Sequence, residues 1–188
     1  MMSTDQYNIV LIGMPGSGKS IVGKTTAKLM ARNFIDTDTL IQLSETRSLQ
    51  DIVDTDGHMA LRRIEEHVIL NLHCQNSVIA TGGSAVYSHA AMRNLKSNGI
   101  VFFLNVDLAS LTSRIHDFNT RGLAKDRSQS LADLFQERMT LYRKYADVTV
   151  DCRDLSSEEV SLIIIGRLNT GKLKRRGSLG QVLFRVFF

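Results

Sequence analysis

The residues best placed for chemistry lie in one stretch, Gly13-Met14-Pro15-Gly16-Ser17-Gly18-Lys19-Ser20. Its spacing fits G-x-x-x-x-G-K-[ST], the phosphate-loop pattern. Glycines at these positions let backbone N–H groups turn toward phosphate oxygens with no Cβ in the way. A helix opening directly after the loop adds its positive end. In that arrangement Lys19 reaches the β and γ phosphates and the Ser20 hydroxyl ligates magnesium. Gly13, Gly16, Ser17, Gly18 and Ile21 complete the nucleotide-binding stretch. The pattern predicts ATP or GTP binding together with Mg2+.

A second acidic element follows at Phe34-Ile35-Asp36-Thr37-Asp38. Residues two apart on an extended chain point the same way, so both carboxylates face the phosphate loop if this strand neighbours the first. One can help hold magnesium. The other can accept a proton from, or hydrogen-bond to, an attacking hydroxyl. The alternative is that Asp36 or Asp38 caps the helix starting near Thr39.

Alternating elements position these groups. Short apolar runs predict strands at Tyr7 to Ile12, Asn33 to Asp36, Ser77 to Ala80, Ile100 to Leu104 and Val148 to Val150. Helical patterns cover Ser20 to Arg32, Leu40 to Val53, His58 to His73, Ala90 to Lys96, Leu108 to His116, Leu131 to Tyr145 and Ser157 to Leu168. Strands apolar on both faces belong to a parallel sheet covered on both sides. The expectation is one three-layer α/β/α domain over residues 1–169 with a five-stranded parallel sheet. In such folds ligands sit at the carboxyl ends of the strands, where both acidic and glycine-rich motifs fall.

Composition narrows the partners. The net charge of +4 owes much to residues 170–188, where Lys172, Lys174, Arg175, Arg176 and Arg185 stand without any acid. The rest of the chain is close to neutral, which argues against a nucleic-acid binder. Cys74 and Cys152 have no CxxC or Cys/His company and read as ordinary thiols. The five histidines show no zinc-ligand spacing. Nothing approaches the roughly 20 apolar residues of a membrane span, and no signal peptide is visible. The expected setting is the cytoplasm.

Taken together, these motifs resemble the shikimate kinases, within the nucleoside-monophosphate-kinase-like P-loop group. The resemblance runs from about Asn8 to Cys152. It matches the family's Asp-x-Asp with Asp36-Thr37-Asp38, and implies that Asp36 belongs to the magnesium shell and Asp38 is the base on the substrate hydroxyl. It matches Phe-Arg-x-x-Glu with Leu61-Arg62-Arg63-Ile64-Glu65, implying that Arg62 binds a substrate carboxylate and Glu65 orients it. From spacing alone, Arg62 reads better as a surface residue laced by i,i+3 and i,i+4 pairs. The family's Gly-Gly-Gly becomes Gly82-Gly83-Ser84, lining the acceptor pocket. A mobile lid at about 117–130 would bring Arg121 onto the transferring phosphate, while Arg114 lies beside the adenine. Leu141-Tyr142-Arg143 matches the family's Leu-Tyr-Arg and implies that Arg143 is a second carboxylate contact.

The resemblance implies ATP as co-substrate, Mg2+, a small anionic hydroxy acid as acceptor, and a monomer. Phosphorylation of shikimate to shikimate 3-phosphate, a step of aromatic amino acid biosynthesis, is the expected reaction. Three departures bear on the acceptor: Leu61 for phenylalanine, Ser84 for glycine and Gly122 for proline. The alternatives are a related kinase acting on a sugar acid or nucleotide, and an ATP-binding regulatory protein without phosphotransfer. The tail 170–188, with Lys174-Arg175-Arg176-Gly177-Ser178 and an apolar end, has no counterpart in the family pattern.

Overall fold

Strand β1 (Asn8–Ile12) is buried along its whole length and forms the middle of the sheet. The computed structural model describes residues 7–114, 124–126 and 129–170. The expected lid, with Arg121, lies mostly outside these residues, as does the tail beyond Thr170. Strands β2 (Asn33–Asp36), β3 (Ser77–Ala80), β4 (Gly99–Asn105) and β5 (Val148–Asp151) join β1 in the order β2-β3-β1-β4-β5. All four pairings are parallel, with Val10 opposite Ile79 on one side and Val101 on the other. The condition that β2 neighbours β1 is not met, because β3 inserts between them.

Eight α-helices accompany these strands among the described residues: α1 (Lys19–Leu29), α2 (Thr37–Glu45), α3 (Leu49–Asp56), α4 (His58–Leu70), α5 (His89–Ser97), α6 (Leu108–Arg114), α7 (Leu131–Tyr145) and, after the last strand, α8 (Ser157–Asn169). The single helix expected over Leu40 to Val53 is two. Thr46 takes a left-handed conformation with φ of 54°, and Ser48 with Asp51 forms a capping box that starts α3 afresh. Ser130 with Asp133 and Ser156 with Glu159 begin α7 and α8 in the same way.

Helices cover both faces of the sheet. Gly23 of α1 lies against Leu11 and Phe34 side chains, whereas Gly99, next to the Leu95 carbonyl of α5, lies against Val10. Consecutive strand residues point to opposite faces, so α1 and α5 sit on opposite sides. The Ser161 hydroxyl donates to the Val22 carbonyl at 3.3 Å and ties α8 to α1. Ile9, Val10, Leu11, Val78, Val101 and Phe102 are fully buried between these layers. A smaller apolar cluster of Ile41, Ile52, Leu61 and Ala124 packs beside the carboxyl ends of the strands.

Candidate functional site

Chain reversal after β1 builds the phosphate loop. Gly16 and Gly18 take φ of 81° and 90°, a left-handed conformation that a side chain would strain. Gly18 caps α1 without any side-chain hydrogen bond, and no acid stands in the first turn. The positive end of α1 is thus left to a ligand. The Lys19 ammonium folds over the loop and donates to the Gly13 and Met14 carbonyls at 2.9 and 2.8 Å. Burial pushes its pKa down to about 8, against the pull of Asp38, Asp36 and Glu65 and with Arg138 adding to the fall. The Ser17 hydroxyl is buried and has no hydrogen-bond partner. A phosphate oxygen would satisfy it. Ile21 is exposed and lines the mouth of the same cavity.

Asp36 performs two tasks at once. One oxygen, Oδ1, accepts from the Asp38 backbone N–H at 3.0 Å and caps α2. The other, Oδ2, accepts from the Ser20 hydroxyl at 2.6 Å. The capping alternative and the loop-facing expectation are therefore both realised in one residue, although β2 and β1 are not neighbours. Ser20 and Asp36 together present hard oxygen ligands of the kind magnesium takes, and would leave the rest of its shell to phosphate and water. Among the described residues no cluster of three or more His, Cys, Asp or Glu could hold a metal by itself.

A cavity of about 550 Å³ runs from this loop to a second group of charged side chains, including Asp38, Glu65 and Arg138. The two glycines after β3 make their approach possible. A Cβ on Gly82 would fall against Glu65 Oε1 and lie 2.5 Å from Asp38 Oδ1. A Cβ on Gly83 would lie 2.7 Å from Arg138 Nη1 and 2.8 Å from Pro15 Cδ. The Gly82 N–H donates to Thr37 Oγ1 at 2.9 Å, which locks this turn to the start of α2.

Two guanidinium groups converge on one oxygen. Arg62 and Arg138 both donate to the Ala124 carbonyl, at 3.2 and 2.9 Å. Both also lie over the Tyr87 ring, 3.6 and 5.5 Å from its centroid. Arg143 does not take part: it is exposed on α7. At 3.6 residues per turn, Leu134, Arg138 and Tyr142 share the inward face and Arg143 turns away from it. The Tyr142 hydroxyl donates to the Gly83 carbonyl at 2.8 Å and anchors that inward face to the cavity wall. Where the sequence pointed to Arg143, the structure turns Arg138, which is 1% exposed, toward the cavity. An arginine four residues before a buried tyrosine, on the apolar stripe of a helix, was the available signal.

Glu65 also departs from expectation. It does not orient Arg62, whose Nε is buried and unpartnered. It accepts instead from the Ser84 hydroxyl. Burial, and then the neighbouring Asp38 carboxylate, push its pKa up to about 7. Arg114 closes the described part of α6, and Arg121 lies outside the described residues.

The chain is also similar to known proteins over most of its length. Residues 15–169 match the family model described as shikimate kinase. A shikimate kinase of Thermodesulfovibrio yellowstonii is 36% identical over 171 residues, covering 88% of this chain and 98% of that protein. One from Mycobacterium ulcerans is 34% identical, covering 85% and 88%. Among solved structures, the shikimate kinase of Acinetobacter baumannii in complex with shikimate superposes with a TM-score of 0.80 at 29% identity, covering 89% of this chain and 96% of that one. The Aquifex aeolicus shikimate kinase gives 0.74 at 30% identity, covering 88% and 98%. Because the family model spans residues 15–169 and a relative 36% identical is matched over nearly its whole length, the chain belongs to the shikimate kinase family.

Proposed function

We propose that this protein transfers the γ-phosphoryl group of ATP to a hydroxyl of shikimate, giving ADP and shikimate 3-phosphate. One observation carries the reading: a single cavity joins the phosphate loop to Asp38, Glu65 and Arg138. Donor and acceptor can therefore meet without leaving the protein. The loop N–H groups, the start of α1 and Lys19 bind the phosphates. Ser20 and Asp36 would hold magnesium, whose charge helps neutralise the phosphate oxygens. Arg62 and Arg138 bind the acceptor carboxylate through their planar forks. Asp38 orients the attacking hydroxyl and takes its proton as the new P–O bond forms. The family resemblance adds Arg114 beside the adenine and Arg121 for the transferring phosphate, Arg121 lying outside the described residues. Such a transfer relies on positioning and charge more than on covalent chemistry.

The same reading places the protein in aromatic amino acid biosynthesis, as a cytoplasmic monomer without nucleic-acid or membrane partners. Among the described residues no helix is long and apolar enough to cross a membrane. ADP release coupled to a spectrophotometric assay, with Mg-ATP and shikimate, tests the proposal. Release should require shikimate, and Asp38→Asn should bind ATP yet lose turnover. ATP binding with no ADP release for any hydroxy acid would refute phosphotransfer. Release with a different hydroxy acid or a nucleotide, and none with shikimate, would move the acceptor.

A further inference from the structure

Ser84 and Glu65 form a buried pair at the acceptor end of the cavity, 6% and 2% exposed. The Ser84 hydroxyl donates to Glu65 Oε2. The other oxygen, Oε1, is buried without a hydrogen-bond partner. It stands beside Asp38 Oδ1, the two oxygens meeting over Gly82 where a Cβ would strike both. Glu65 lines the cavity and also faces Lys19 and Arg138 across it.

The geometry has an alternative that Ser84 prevents. Arg62 lies three residues before Glu65 on α4, a spacing at which side chains meet. Its Nε is itself unpartnered. With glycine at position 84, nothing would hold Glu65 Oε2, and Glu65 would be free to pair with Arg62. The Ser84 hydroxyl keeps the two apart. Glu65 then offers a carboxylate oxygen to the cavity, and Arg62 keeps its charge for an anion.

We propose that Ser84 is a specificity-determining positioning residue. By holding Glu65 Oε2 it sets Oε1 next to Asp38 Oδ1, so that the acceptor is read as a pair of neighbouring hydroxyl groups attached to an acid. This rests on the reading of the cavity as a kinase acceptor site. A buried oxygen left unpaired makes the site reject an acceptor that lacks the second hydroxyl. Glu65 holds the hydroxyl next to the one that is phosphorylated.

Steady-state kinetics with shikimate, and with its analogue deoxygenated next to the phosphorylated carbon, test this role. The wild-type protein should prefer shikimate by about 30-fold in kcat/KM, the worth of one hydrogen bond to a charged group. In Ser84→Ala and Ser84→Gly the KM for shikimate should rise about tenfold while kcat and the KM for ATP hold. The preference over the deoxy analogue should shrink to about threefold, and Ser84→Thr should restore it. A second measurement needs no acceptor. Carbon NMR of labelled glutamate carboxyls should show Glu65 titrating higher in Ser84→Ala than in wild type, because the serine donor favours the carboxylate. Unchanged titration overturns the Ser84–Glu65 contact. Intact turnover with unchanged discrimination overturns the specificity role alone. No turnover of shikimate by the wild-type protein overturns that role and the kinase reading together.

Discussion

Replacing Arg138 separates two arginines that lie only five positions apart on α7. Arg138 is buried, donates to the Ala124 carbonyl at 2.9 Å, and its Nε reaches the Tyr87 hydroxyl at 3.4 Å. Arg143 is exposed on the same helix. A carboxylate held by the Arg138 fork gains two charge-assisted hydrogen bonds, each worth about 1.5 to 3 kcal/mol. Arg138→Lys keeps the charge and one bond, so the loss is about 2 kcal/mol, or about 30-fold in the KM for shikimate. Arg138→Met removes both bonds and leaves Arg62 alone with the carboxylate. The loss then reaches about 4 kcal/mol, close to 1000-fold in kcat/KM. Arg143→Ala, a surface change, should stay within about twofold of wild type. The assay is coupled ADP release at varied shikimate, with the KM for ATP as internal control and a thermal melt to confirm folding. The KM for ATP should hold in all variants. A tenfold effect from Arg143→Ala, or wild-type shikimate kinetics in Arg138→Lys, would refute the placement of the carboxylate against α7's inward face.

Glu65 makes stability depend on pH. Its folded pKa is raised from 4.5 to about 7, so the folded state holds the proton more tightly. Stability from this group is complete below about pH 4.5 and is lost as pH rises through about 7, a change on the order of 3 kcal/mol. Urea unfolding at pH 5 and pH 8 should show that loss in wild type and a flatter profile in Glu65→Gln. Gly82→Ala drives a methyl between Glu65 and Asp38, 2.5 Å from Asp38 Oδ1. It should cut kcat/KM for shikimate by about 100-fold and leave the KM for ATP unchanged, since reacting groups displaced by an ångström lose about that much. Gly23→Ala sets a Cβ 2.5 Å from Phe34 Cε2 on the α1–sheet interface. Despite alanine's better helix propensity, overpacking should lower stability by about 1 to 2 kcal/mol and the melting temperature by about 4 °C.

What the chain disclosed directly was contiguous. Eight successive residues carry the phosphate loop, and its chemistry depends on backbone turns that those same residues determine. Asp36-Thr37-Asp38 was legible as two carboxylates at a strand end, but the extended spacing meant to align them does not hold, because α2 begins at Thr37. The five strands stood out as apolar runs, since a parallel sheet covered on both sides must be apolar on both. The Thr46 break between α2 and α3 was hidden, because a left-handed threonine leaves no mark on hydrophobic periodicity.

Tertiary structure decided where distant segments meet. β3 inserts between β1 and β2, yet the Asp36 side chain still reaches Ser20. The sequence pointed to Arg143 on α7 and passed over Arg138, but the face that the hydrogen bond from Tyr142 to Gly83 turns inward carries Arg138 and not Arg143. Glu65 has a near partner in sequence, Arg62, and a distant one, Ser84, nineteen positions on. Periodicity favours the near partner; packing of α4 against the Gly82-Gly83-Ser84 turn favours the distant one. Local order follows from each residue's own backbone and its neighbours within a turn. The pairing of buried charges follows from which elements share a wall, and only the folded chain brings those walls together.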